Sequence, residues 1–182
     1  MKLRTWEMDI FDFDQVCANP LAKVHPNFLQ KLIFAENENE ARDAFYLISE
    51  PVGENGSIYP VALPVLKIVL ASLPYCSTPA KWECLQLVST IVSSEGAPGY
   101  EFLKMECANE VKNMFWYFVS GLQFDATENI SVYVDILGIL GTRFSSLKRI
   151  VISYIELALT REVSDNDKCM FRNTVEFLNN SK

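Results

Sequence analysis

From Ser57 to Pro74 the chain reads SIYPVALPVLKIVLASLP, apolar almost throughout, with one charge at Lys67 and prolines at 60, 64 and 74. Proline suits a first helical turn, where its missing N–H has no partner to lose. It also pushes the preceding residues, Tyr59 and Leu63, towards extended geometry. The pattern predicts a helix that begins within 60–64, runs to Leu73 and stops at Pro74. Val65, Leu66, Ile68, Val69 and Leu73 leave it no polar face, so it must be buried on more than one side. Its neighbours can be read on either flank. Ser77-Thr78-Pro79 pairs an N-cap with proline at the first helical position and opens a helix over 79–94, with Trp82, Leu85, Val88 and Val92 on one stripe. After the loop SSEGAPG (93–99), a long helix over 100–122 carries Phe102, Met105, Val111, Met114, Phe115 and Phe118 and ends at Gly121. The segment DATEN opens the next, over 127–140, through Ile130, Tyr133, Val134 and Leu137, with Gly141 at its C-terminus. Leu147, Ile150, Val151, Tyr154, Ile155 and Ala158 follow i, i+3, i+4, i+7 spacing across 147–161, with Arg161 in a last turn that favours a cation. Ser164 and Asp165 cap a helix over 165–178 that turns Phe171, Val175 and Leu178 inward. Upstream, Pro26 opens a helix over 26–35, and ENENEARDAFYLISE gives another over 37–50. The first 20 residues fit either a strand (Leu3, Thr5 and Glu7 alternate) or a helical turn or two.

The expectation is an all-α fold of about eight helices in a single domain, 1–182, with the structure of residues 1–25 left open. Taken in order, the helices form hairpins that start roughly 35–45 residues apart, the spacing of HEAT and armadillo repeats. The residues themselves do not repeat. An irregular array of HEAT/armadillo-like hairpins is therefore expected, with a helical bundle as the alternative.

Composition narrows the partners. The 182 residues carry a net charge of −7, with a pI of about 4.8. Nucleic-acid phosphates would repel such a surface, whereas a basic protein would be attracted to it. The charge is uneven: residues 1–54 hold ten acids (Glu7, Asp9, Asp12, Asp14, Glu36, Glu38, Glu40, Asp43, Glu50, Glu54) against five bases. This is either a solvated face or a steering surface for a cation. Five scattered cysteines (17, 76, 84, 107, 169) form no CxxC and read as small buried residues of a reducing compartment. MKLRTWEMDIFDFD lacks the apolar core of a signal peptide, and the 57–74 stretch is interrupted before the roughly 20 residues a membrane span needs. A cytoplasmic protein without a membrane segment is expected.

Candidate chemistry is sparse. The one histidine, His25, precedes Pro26 in a loop and reads as a cap or surface residue rather than a base. Cys76 and Cys84 lack the further ligands zinc requires, and GENG (53–56) is a turn rather than a phosphate loop. Asp12-Phe13-Asp14-Gln15-Val16 resembles the DxDx[TV] nucleophile motif of haloacid-dehalogenase-like phosphatases. That chemistry needs a core parallel strand and an alternating βα chain behind it, which the downstream pattern does not supply. Asp125 and Glu128 form an ordinary first-turn acid pair, with Asp135 further along the same helix. Neither a catalytic set nor a cofactor or metal is expected. Phe115, Trp116, Tyr117 and Phe118 fall consecutively and so cover every face of their helix, which offers core contacts and one or two exposed anchors.

The segment GSIYPVALPVLKIVLASLPYCSTPAKWECLQLVSTIV (56–92) resembles bacterial HEAT-like proteins that accompany polymorphic or contact-dependent inhibition toxins. The carriers are Gly56, Tyr59, Pro60, Pro64, Leu66, Pro74 and Leu85. The resemblance covers roughly a fifth of the chain. It implies an immunity protein that binds a cognate toxin, a basic nuclease in the leading case, and covers its active site. Candidate partner-binding residues are Asp12, Asp14, Glu36, Glu38, Glu40, Asp43, Glu50 and Glu54, with Trp116, Asp125 and Glu128 as a second region. A generic solenoid adaptor and a helical-fold hydrolase are the competing readings.

Overall fold

A computed structural model describes residues 24–181. Among them the fold is all-α: 75% are helical, in nine α-helices. These are α1 (Pro26–Ile33), α2 (Glu38–Val52), α3 (Ala62–Ser72), α4 (Thr78–Ser93), α5 (Leu103–Asn113), α6 (Phe115–Phe124), α7 (Ile130–Arg143), α8 (Ser145–Ala158) and α9 (Asp165–Asn180). They form two compact units, one up to Glu110 and one from Val111.

In the first unit, α1 packs against α2 and α3 against α4, as hairpins of adjacent helices, and α4 also lies against α1 and α2. The apolar stretch that begins at Ser57 becomes α3, with Ala62, Pro64, Val65, Leu66, Ile68, Val69 and Leu70 all buried. Each buried valine, leucine or isoleucine among them contributes about 1.5–3 kcal/mol on leaving water. The expected stripe on α4 buries Leu85, Val88 and Val92. His25 does act as a cap: its Nδ1 accepts from the Asn27 N–H at 3.2 Å.

Three two-residue strands join these helices, a feature the apolar pattern did not predict. β1 (Gly53–Glu54) and β2 (Ser57–Ile58) pair antiparallel, and β2 pairs parallel with β3 (Glu95–Gly96). The link between β1 and β2 is Asn55-Gly56, both at positive φ (52° and 78°). That is the two-residue hairpin loop whose twist matches the flanking strands, and Asn-Gly is its sequence signature.

In the second unit, α7 is central and contacts α6, α8 and α9. Tyr133, Phe118 and Phe171 are its largest fully buried side chains. Three expectations change here. The helix foreseen over 100–122 is broken at Met114 (φ −101°, ψ 18°), and its second half continues to Phe124. Gly121 and Gly141 do not end helices but lie inside α6 and α7, where bare Cα atoms let neighbours approach: Tyr133 covers Gly121, and Leu178 and Val151 cover Gly141. Arg161 lies beyond α8 and caps α6 instead. Its guanidinium donates to the Leu122 and Asp125 carbonyls at 2.7 and 2.9 Å, satisfying acceptors a helix end leaves open.

Candidate partner-binding surfaces

Among the described residues, the acids of this segment lie at both ends of α2. Asp12 and Asp14 lie outside the described residues. Glu36, Glu38 and Asp43 are exposed around the start of α2. Glu40 serves the helix itself. Its carboxylate accepts the Glu36 N–H at 2.9 Å, while its own N–H donates to Asn37 Oδ1 at 3.0 Å. Together these bonds close the open N-terminus of the helix, and Glu38 and Glu40 also suit its positive end. Glu50 is exposed at the other end of α2, about 18 Å along the axis from Glu38 at 1.5 Å per residue. Glu54 follows in β1. Because α2 separates them along its length, Glu36 and Glu38 stand at the opposite end from Glu50.

Among the described residues of this unit, one acid is buried. Glu83, on α4, is 8% exposed and faces Arg42 of α2, with Nε at 3.6 Å from its carboxylate. Burial raises the Glu83 carboxyl above its ordinary range, and the Arg42 charge and hydrogen bond pull it partly back. Because the folded form holds its proton more tightly than the unfolded chain, the associated stability is present at low pH and is lost as pH rises through the raised value. Arg42→Met removes the compensation. Denaturant unfolding should show the variant less stable by about 1–3 kcal/mol at pH 7.5, with the deficit shrinking towards pH 4 as Glu83 is protonated in both proteins. A deficit that is the same at both pH values would mean that Arg42 acts through packing alone.

In the second unit the two acids proposed beside Trp116 behave differently. Glu128 is exposed in the 3-10 turn Thr127–Asn129. Asp125 is half-buried and engaged: its carboxylate accepts the Tyr133 hydroxyl at 2.5 Å and the Ala126 N–H at 2.8 Å. Burial and this bond together push the Tyr133 phenol far above its ordinary range. Asp125 therefore holds α6 and α7 together.

Trp116 is open, at 63% exposed, while Phe115 and Phe118 beside it are buried. Its indole stands edge-on to Tyr154 of α8 at 6.2 Å. Continuing along α8, Tyr154 and Leu157 line a shallow groove of about 310 Å³ with Phe124 and Arg161. Phe124 is 81% and Leu157 52% exposed. The outer stripe of α8 thus joins the two ends of α6 into one aromatic and aliphatic face. Sequence reasoning singled out Trp116 but missed Phe124, Tyr154 and Leu157. Tyr154 fitted the inward stripe, and nothing local marks Phe124 as exposed.

A second groove, about 590 Å³, runs between α7 and α9. Along α7 it is lined by Asp135, Gly138, Ile139 and Thr142, at i, i+3, i+4, i+7 spacing. α9 faces it with residues from Asn166 to Phe177. The helices approach closely at Gly138, where a Cβ would meet Thr174 Cγ2 at 2.8 Å.

Among the described residues no three His, Cys, Asp or Glu side chains are grouped to hold a metal. Of the described cysteines, Cys84 and Cys107 are buried, Cys76 is half-buried and Cys169 is exposed. A hydrogen bond with Cys76, together with burial, raises the Cys84 thiol well above its ordinary range. No described helix is long and apolar enough to cross a membrane. These surfaces define the class: an all-helical chain with an open aromatic face and a groove carrying one carboxylate. No family model matches the chain, and neither a curated protein nor a solved structure gives a significant match.

Proposed function

We propose that this chain acts by binding another protein, as an immunity protein that covers a cognate bacterial toxin, a basic nuclease in the leading case. The observation that carries this reading is the continuous open face formed by Trp116, Tyr154, Leu157 and Phe124. Contiguous exposed apolar surface of this kind marks interaction sites, and aromatic anchors dominate the energy of protein interfaces. The net charge of −7 favours a basic partner and fast, salt-sensitive association. The resemblance of residues 56–92 to toxin-associated HEAT-like proteins supplies the biological setting. The generic-adaptor alternative shares the surface but lacks a toxin.

The test is co-expression with a toxin domain, if one is found encoded in the neighbouring gene. A stoichiometric complex and restored growth are expected. Trp116→Ala should weaken the complex by at least about 30-fold, corresponding to the roughly 2 kcal/mol of a hot spot, while leaving the helical circular dichroism unchanged. Growth that is not restored, with no complex formed, would overturn the immunity reading. Unchanged affinity in Trp116→Ala would remove this face from it.

A further inference from the structure

We propose that the groove between α7 and α9 is an arginine pocket, which receives one arginine side chain projected by a basic protein partner and seats its guanidinium on Asp135. The inference rests on the partner reading only for the identity of the protein that carries the arginine.

Three features of the groove point to this occupant. First, Asp135 is its only charged residue, and among the described residues the carboxylate has neither a hydrogen bond nor an ion pair. Although the residue is exposed as a whole, the flanking helices displace enough water to raise its carboxyl above the ordinary range. A cation placed there would relieve that penalty.

Second, three polar side chains of the lining, Thr142, Thr174 and Asn173, present acceptors. The Thr142 hydroxyl donates to its own helix, to the Gly138 carbonyl at 2.9 Å, and the Thr174 hydroxyl donates to the Met170 carbonyl at 3.0 Å. With their protons turned inward, both oxygens keep lone pairs for a donor from outside. Asn173 directs its Nδ2 to the Cys169 sulfur at 3.8 Å, leaving Oδ1 as an acceptor. A lining with one carboxylate and several free acceptors complements a ligand that only donates. Guanidinium, with five N–H donors and no acceptor, is the protein group of that kind with the geometry to bind a carboxylate through two parallel bonds.

Third, part of the groove's lining is apolar. Ile139, Met170 and Phe177, the last 60% exposed, provide a wall for the methylene stem of a long side chain and an aromatic face suited to a planar cation. Lysine has the stem but carries a more strongly hydrated point charge that cannot bind in the paired mode.

The full-length protein can be tested without any toxin. The probes are the peptide acetyl-Gly-Arg-Gly-amide, its citrulline counterpart, which is a neutral near-isostere, and spermidine as a free polyamine. Nuclear magnetic resonance titration should show the arginine peptide shifting the Gly138 amide and the Asn173 side-chain amide. The citrulline peptide should bind at least about 10-fold more weakly. Asp135→Asn should abolish the preference, and Glu156→Gln, an exposed acid of α8 outside the groove, should leave it intact. Because Asp135 has no partner to lose, Asp135→Asn should keep its circular dichroism and melting temperature. Equal binding of the two peptides, or a preference that survives Asp135→Asn, overturns the proposal. So does tighter binding of spermidine at the same resonances, which would make this a small-polyamine site. Failure of these titrations leaves the co-expression result untouched, and failure of co-expression leaves the titrations untouched.

Discussion

Gly121→Ala should destabilise the second unit by about 3 kcal/mol or more, one of the largest effects of adding a single methyl anywhere in the described chain. A Cβ on Gly121 would stand 2.5 and 2.7 Å from two edge carbons of the Tyr133 ring, and nearer still to a third. The ring cannot swing aside. It is fully buried, it packs against Phe118 at a centroid distance of 6.4 Å, and its hydroxyl is held by Asp125 at 2.5 Å. Moving it would break a hydrogen bond to a carboxylate as well as core packing. The loss should appear as a fall of roughly 6–12 °C in melting temperature for a chain of this size. Tyr133→Leu alone also costs stability, through the cavity it leaves and the loss of the hydroxyl's bond to Asp125. The double variant Gly121→Ala/Tyr133→Leu should nonetheless lose markedly less than the two single losses combined, because the smaller side chain makes room for the methyl. Strict additivity, or a Gly121→Ala loss under about 0.5 kcal/mol, would show that the ring is not fixed as described.

Gly96→Ala should be comparably severe in the first unit, by a different route. There the added Cβ meets backbone: it would lie 2.6 Å from Glu101 Cα and 2.7 Å from the Tyr100 carbonyl carbon, with the Tyr100 oxygen nearer still. A side chain can change rotamer, but a backbone segment must move bodily. Lifting residues 97–101 off Gly96 would strain the bonds that hold β3 in place, Ala97 N–H to the Ile58 carbonyl at 3.0 Å and Glu95 N–H to the Gly56 carbonyl at 2.9 Å. The expected cost is about 3 kcal/mol by denaturant unfolding, with amide hydrogen exchange accelerated at Glu95 and Ala97. Gly99→Ala is the control. Gly99 has open space around it but a φ of +84°, so only left-handed strain of about 1–2 kcal/mol should appear. If Gly96→Ala costs no more than Gly99→Ala, close packing at Gly96 is not what the fold depends on.

The candidate surfaces were only partly legible in the sequence. Trp116 could be singled out because four consecutive aromatics cannot all face inward on one helix. Phe124 could not, because its exposure depends on where α8 lies beside the end of α6. Asp135 was visible only as another acid on a helix. Its distinction comes from α9, whose threonine and asparagine groups face it from more than 30 positions away. Asp125 and Glu40 looked like free surface charge, yet each makes a bond that closes a helix end or joins two helices.

What the sequence determined by itself is what depends on neighbours along the chain. The 3.6-residue periodicity, the cap at Ser164 and the prolines at 26, 64 and 79 place the helices, and Asn55-Gly56 encodes the hairpin loop. These are interactions within one or two turns, and local residue types are enough to decide them. The tertiary structure decided what depends on approach between distant segments. Gly121 and Gly141 read locally as helix ends, because an isolated glycine disfavours helix. Both stay helical because Tyr133, Leu178 and Val151 pack onto the space a side chain would fill. Arg161 likewise caps a helix 36 residues upstream of it rather than its own. A residue's propensity acts on its own backbone, whereas close contact is a property of two surfaces at once, and only the folded chain brings the second surface into place.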